Sequence, residues 1–158
     1  MKIFRLHSRT NPRVKSLIKS KGDYFVFEGD KLVRDIMARE LDINLLILKE
    51  KEEGTWDVSR EKHGKIRELW YVSEPVMEKI SALKDVPDAI AFLSVDRLDL
   101  DFGKCRFVLG LDNIQDPANA GTVFRCAAAF GAGAVVFSGE SVKPTNTKFL
   151  RAAQDAVF

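Results

Sequence analysis

The chain has 158 residues, 46% of them hydrophobic, with 25 basic and 23 acidic side chains and a formal net charge of +2. That is enough for one globular domain or two small ones; it contains no run of about 18 apolar residues, which excludes a helical membrane span, and its basic start lacks the apolar stretch of a secretory signal. Cys105 and Cys126 have no Cys-x-x-Cys or histidine partner at ligand spacing, which argues against a metal site and fits reduced core thiols in a cytoplasmic protein.

The positive charge sits at the front. Residues 1–21 hold Lys2, Arg5, Arg9, Arg13, Lys15, Lys19 and Lys21 with no acid, and the remainder carries 18 basic against 23 acidic residues. Asn11-Pro12 predicts an N-cap and a first-turn proline opening a short helix, with Val14, Leu17 and Ile18 on one side. Such a helix offers Arg9, Arg13, Lys15, Lys19 and Lys21 to phosphates as candidate RNA-binding groups; charge alone equally allows a solvated amphipathic face.

A strand and helix rhythm follows. Tyr24–Phe27 reads as a strand, Asp30–Glu40 as a helix with Leu32, Val33, Ile36 and Met37 at helical spacing, and Ile43–Leu48 as an apolar strand. Lys49–Gly64 is charged and aperiodic, a loop or short helix. Glu68–Val72 returns to strand, Pro75–Leu83 is a helix opened by Ser73 or Glu74, and Ala89–Val95 is a last strand. This predicts a small α/β/α domain over residues 1–95. Asp96–Lys104 (DRLDLDFGK) is polar, making 96–105 the linker. His7 and His63 have no partners at catalytic spacing and read as surface or capping residues. Trp56, Trp70 and Tyr71 could stack on bases, but Trp70 and Tyr71 point to opposite faces of one strand.

The most informative stretch is 106–138. Arg106–Leu111 (RFVLGL) has the length of a strand covered on both faces, Ala120–Phe130 reads as a helix stopped by Gly131 and Gly133, and Ala134–Ser138 is a second strand. Such a unit places ligands outside the carboxyl ends of its strands, where the Asp112–Asn119 turn lies. The turn carries neither Gly-x-Gly-x-x-Gly nor Gly-Lys-Ser/Thr, so a Rossmann oxidoreductase and a phosphate-loop enzyme are disfavoured. Pro117 stiffens it, Asp116 or Asn119 can cap the helix, and Gly121 shares a helix face with Arg125, leaving room for a group beside the guanidinium. Spacing alone leaves open a capped helix with an exposed arginine. Ala127, Ala128 and Ala129 are expected to give a flat face for close packing.

These residues also carry a resemblance. Val108–Val136, with Asp116-Pro117-Ala118-Asn119-Ala120-Gly121, Arg125 and Ala127–Gly131, resembles the first signature motif of the SpoU (TrmH-type) RNA 2'-O-ribose methyltransferases of the SPOUT class. Lys148-Phe-Leu-Arg151-Ala152 is similar to that family's Lys-x-x-Arg-Ala segment, while Ala153 and Asp155 stand where it usually reads Ser and Gly. Glu28-Gly29 and Val86-Pro87 resemble the small substrate-binding domain that precedes the catalytic domain in many members.

The resemblance implies an α/β chain: an N-terminal α/β/α substrate-binding domain, then, over 106–158, the first part of a parallel α/β SPOUT (trefoil-knot) domain. It implies transfer of a methyl group from S-adenosylmethionine to a ribose 2'-hydroxyl of structured RNA, ribosomal RNA first, by a homodimer. Arg125 would help deprotonate or orient the hydroxyl and Asn119 would hold the turn and the arginine. The family's second and third motifs, which bind the cofactor and form the knot, are expected after Phe158, so the 158 residues alone are expected to bind the cofactor weakly and to be inactive. A non-catalytic RNA-binding module is the alternative.

Overall fold

The computed structural model describes residues 1–50, 56, 58, 65–94, 103 and 105–157. The chain divides into two compact units, Met1–Ser94 and Val95–Phe158. Most of the expected 49–64 loop, His63 within it, and most of the 96–105 linker lie outside the described residues.

In the first unit, five strands, β1 (Lys2–Leu6), β2 (Tyr24–Glu28), β3 (Ile43–Lys49), β4 (Ile66–Val72) and β5 (Ala89–Ser94), form one mixed sheet in the order β1-β4-β3-β5-β2. β1, β4 and β3 are parallel, and β5 runs antiparallel to β3 and β2. Helices α1 (Pro12–Ser20) and α3 (Glu74–Ile80) pack on one face. There Val14, Leu17, Val76, Met77 and Ile80 meet Leu45, Ile47, Trp70, Val72 and Phe92. Helix α2 (Asp30–Ala38) buries Val33, Ile36 and Met37 and belongs to the other face, whose strand residues of opposite parity, Phe27, Leu46 and Leu69, are also buried. The period-2 strand patterns and 3.6-period helix patterns therefore produce the α/β/α layering.

Several local expectations need correcting. β1 is not legible as a strand: KIFRL lies at a sheet edge with Lys2, Ile3 and Arg5 exposed, Phe4 half-buried and only Leu6 buried, and its short apolar alternation is broken by charge. Ile18 is exposed, and Val14 and Leu17 alone anchor α1. α3 ends at Ile80, not Leu83, because Glu28 takes the next turn apart. Its buried carboxylate accepts from the Ser81 hydroxyl at 2.7 Å and the Ala82 N–H at 2.9 Å, which fixes Ser81 in extended geometry.

The second unit contains β6 (Val108–Leu111), α4 (Pro117–Ala129), β7 (Ala134–Phe137) and α5 (Thr147–Ala153), with β6 and β7 parallel. Its core is an aromatic trio: Phe149 meets Phe124 and Phe137 edge-on, each at 5.5 Å between ring centroids. β6 and β7 are not covered on both faces within this unit; Phe107, Val108 and Val136 are exposed. Gly131, at φ 77°, ends α4 in a left-handed turn in which the Ala132 N–H reaches the Ala127 carbonyl at 2.9 Å. Gly133 serves a different purpose, since a Cβ there would sit 2.6 Å from the Cys105 side chain. Ala127 is buried while Ala128 and Ala129 are exposed, because successive helical residues point about 100° apart. Cys126 is exposed and Cys105 half-buried, so neither is a core thiol.

Candidate functional site

Two surfaces carry the expected chemistry, one in each unit. In the second unit, α4 begins at Pro117, so the polar turn shortens to 112–116. Asp116 is the N-cap: its carboxylate accepts from the Asn119 N–H at 2.7 Å. Asn119 therefore contributes its backbone to the cap, and its side chain stands exposed in the first turn.

The turn is clamped from the loop after β7. The Asn113 N–H donates to the Ser138 hydroxyl at 2.9 Å, and the Ile114 N–H to the Ser141 hydroxyl at 3.2 Å. Ser141 in turn donates to the Leu111 carbonyl at 3.1 Å, and the Val142 N–H donates to the Ile114 carbonyl at 2.8 Å. Asn113 sits at φ 50°, a left-handed conformation that asparagine tolerates better than most side chains. These hydroxyl and amide bonds together hold the strand end that launches α4. Sequence reasoning missed both serines. Polar residues in a loop after a strand are too common to single out, and the pairing spans 25 to 30 residues of chain.

Gly121 does not leave a gap beside Arg125. An added Cβ would lie 2.5 Å from Ala152 Cβ and 2.8 Å from both Ala153 N and Phe149 O, so the glycine is where α4 and α5 cross. Arg125, one turn further along, is exposed and has no carboxylate partner among the described residues. Such a guanidinium, on the helix that leaves the clamped turn, can grip a phosphate through two parallel N–H donors. Lys148 and Arg151 lie on α5, whose N-cap Asn146 accepts from the Lys148 and Phe149 N–H groups. After α5, Gln154 takes φ 52°, one residue before Asp155.

In the first unit the basic front is more compensated than its sequence suggests. Arg5 pairs with Glu50 at 2.8 Å, beside an exposed His7, and Arg9 pairs with Glu78 and donates to the Pro75 carbonyl at 2.8 Å. Lys21 is the clearest correction to the candidate RNA-binding set. Its ammonium turns inward, 2.9 Å from the buried Glu28 carboxylate and 2.8 Å from the Ile80 carbonyl, where it closes the end of α3. Arg13 lies over the Phe4 ring at 3.9 Å to its centroid. Lys15 and Lys19 are exposed, without an acidic partner among the described residues. Of the candidate RNA-binding set, Arg13, Lys15 and Lys19 therefore remain as surface cations for phosphate, with Arg9 shared with Glu78. Trp70 is buried and Tyr71 sits half-exposed under Arg5, as alternation along a strand requires. Trp56 has Arg34 over its ring at 4.0 Å, so one face is already occupied. Among the described residues no cluster of three potential ligands could hold a metal ion.

An α/β chain with a clamped polar turn at the carboxyl end of a parallel strand pair, and a free arginine on the helix leaving it, is defined as a class by that geometry. Comparison with known proteins narrows it. Residues 106–158 match the model of the SpoU rRNA Methylase family. Over 161 aligned residues the chain is 26% identical to the 23S rRNA (guanosine(2553)-2'-O)-methyltransferase RlmP of Bacillus subtilis, covering 98% of this chain and 62% of that protein. The solved rRNA methyltransferase of Sinorhizobium meliloti superposes with a TM-score of 0.75 at 24% identity, over 99% of this chain and 63% of that one. An AdoMet-bound structure of an rRNA methyltransferase from the same organism gives 0.74 at 25% identity, over 98% and 62%. The match to the SpoU rRNA Methylase family model lies within the second unit, and the chain shares the fold of the solved rRNA methyltransferase of Sinorhizobium meliloti. It spans about three fifths of the length of the relatives it matches.

Proposed function

We propose that the protein transfers a methyl group from S-adenosylmethionine to a ribose 2'-hydroxyl of structured RNA, ribosomal RNA first, with residues 1–94 docking the RNA and the α4 junction presenting the catalytic arginine. The observation that carries this reading is Arg125. Its guanidinium has no carboxylate partner among the described residues, on a helix whose start is fixed by Asp116, Ser138 and Ser141, within the family-matched segment. The relatives' activities on rRNA and the AdoMet-bound neighbour support the substrate class and the donor.

A ribose hydroxyl is a weak nucleophile, so positioning must supply much of the rate. Arg125 offers only donors. It holds the phosphate next to the reacting ribose and stabilises negative charge as it develops on the 2'-oxygen. Asn119 stands exposed in the first turn of α4, six residues before Arg125. The serine hydroxyls and loop amides after β6 and β7 are bonded to one another and brace the carboxyl ends of the two strands. S-adenosylmethionine would supply the methyl group. The dimer expected of the family is supported by the exposed Phe107, Val108, Phe130 and Val136 of the second unit. A cytoplasmic setting remains part of the same proposal.

The test is to incubate the full-length protein with labelled S-adenosylmethionine and ribosomal RNA, then hydrolyse the product in alkali. A 2'-O-methyl group leaves the adjacent phosphodiester uncut, because that cleavage needs the free hydroxyl. Label in a resistant dinucleotide is the expected result. Label on a base, or RNA binding with no transfer, would replace the proposal, the latter by a non-catalytic RNA-binding module.

A further inference from the structure

The first unit contains a cleft of about 330 Å³ between α1 and the sheet, lined among others by Arg13, Ser16, Ser20, Tyr24, Asn44, Arg67 and Glu68. It is at the small end of the range for ligand sites, about 300 to 1,000 Å³. We propose that this cleft receives one unpaired nucleotide of the docked RNA, its phosphate between Arg13 and Arg67 and its base against Tyr24, Asn44 and Glu68. The inference rests on the RNA-docking reading of this unit and adds to it a site for a single splayed base.

The chemistry of the walls selects the ligand. Trp70 and Phe92 close the floor and are buried, so they shape the cleft without offering a free ring face. Tyr24 is half-exposed and its ring is braced edge-on by Phe92, 5.9 Å between centroids, which leaves it as the stacking surface. Asn44 accepts from the Ser94 N–H at 2.7 Å through its carbonyl oxygen, so its amino group remains to donate. Glu68 accepts from the Trp70 indole N–H at 3.1 Å, which orients a carboxylate that offers acceptors only. An acceptor at that place fits a base edge that donates, such as the exocyclic amino group of adenine, cytosine or guanine. Two arginines against one glutamate leave the cleft net positive, as a phosphate needs.

The occupant is a nucleotide of RNA rather than a free one because the cations continue beyond the cleft. On α1, Arg13, Ser16, Leu17 and Ser20 follow helical spacing and face the cleft, while Lys15 and Lys19 stand one turn apart on the adjoining surface. They can grip neighbouring phosphates that a mononucleotide lacks. Sequence-specific RNA recognition favours unpaired bases that can be splayed out and stacked. A paired base is held in its own stack and cannot enter a one-base cleft.

Anisotropy titrations test this with the 158-residue chain, a 20-nucleotide hairpin bearing a four-base adenine loop, the same hairpin with a uridine loop, a fully paired 20-mer, and 5'-AMP as competitor. Ser16→Trp, at an exposed helix position on the cleft wall, should fill the cleft and weaken the adenine hairpin at least tenfold while changing the duplex less than twofold. Arg67→Gln and Asn44→Ala should weaken the same hairpin selectively and keep the inference testable should the tryptophan variant fail to fold by circular dichroism. The uridine loop should bind several-fold more weakly than adenine, because a pyrimidine offers less ring to stack on Tyr24. If wild type binds the hairpin and all folded variants match it, the cleft is idle and the inference falls while RNA docking stands. Binding of 5'-AMP as tight as the hairpin would make it a free-nucleotide site, which also overturns the proposal. No binding of any RNA would overturn the docking reading itself.

Discussion

Gly121 separates a packing account of the α4 junction from one in which the missing side chain makes room for a ligand, and Gly121→Ala decides between them. An alanine Cβ would stand 2.5 Å from Ala152 Cβ and 2.8 Å from Ala153 N and Phe149 O. Two of the three obstacles are backbone atoms, so no rotamer change relieves the clash, and α5 must retreat by roughly 1 Å. That movement is opposed by the Asn146 cap and by Phe149, wedged against Phe124 and Phe137. Overpacking of this kind costs about 1 to 3 kcal/mol. Replacing glycine by alanine inside a helix returns about 1 kcal/mol of propensity. The packing term is the larger except at its lower limit, and the second unit should lose up to about 2 kcal/mol, a midpoint fall of up to roughly 10 °C for a domain of this size. Scanning calorimetry of the variant measures it, with Gly139→Ala as control, since a Cβ there meets nothing within 4 Å. Adding Ala152→Gly should recover part of the loss, because it removes the only side-chain atom among the obstacles. A Gly121→Ala variant more stable than wild type would show that the helices tolerate the methyl and that the position is open.

Asp116→Ala should cost about 1 kcal/mol by denaturant unfolding, because its carboxylate caps α4, whereas Asn119→Ala should stay within about 0.5 kcal/mol, because only its backbone N–H is used. Lys21→Met should destabilise the first unit by about 3 to 5 kcal/mol in urea by stranding a Glu28 side chain only 3% exposed. Lys15→Gln with Lys19→Gln should leave stability unchanged and flatten the salt dependence of RNA binding by about 0.7 to 0.9 for each phosphate that is no longer neutralised. The Lys49 ammonium is held above its ordinary value chiefly by its hydrogen bond to Asp88, then by Coulombic attraction to Asp88 and by Glu74, against the opposing effect of burial. Its stabilising contribution is therefore full below the unfolded lysine value of about 10.4 and lost as pH rises through the folded one, so the stability gap between wild type and Lys49→Met should be present at pH 8 and shrink towards pH 11.

What the sequence disclosed and what it hid follow from the range of the interactions. The Asn11-Pro12 start of α1, the alternation of Trp70 and Tyr71, and the helical spacing of Val33, Ile36 and Met37 are local patterns, and the structure keeps each of them. Lys21 misleads in sequence because its partner, Glu28, lies across a strand end and its second acceptor, Ile80, is 59 residues away. Gly121 misleads because a missing side chain looks the same in sequence whether a ligand or a second helix fills the space; the α5 backbone against it appears only in three dimensions. Arg125 is legible as a motif position, yet its freedom from any carboxylate partner among the described residues is a structural fact.

Single-turnover methyl transfer by full-length Arg125→Ala, with unfolding of the same variant, tests the central claim most directly. An exposed helical arginine contributes within about 0.5 kcal/mol to stability, so the fold should hold while transfer to RNA falls by orders of magnitude. Transfer at the wild-type rate would contradict the account, and so would a variant that unfolds, since Arg125 would then be a structural residue.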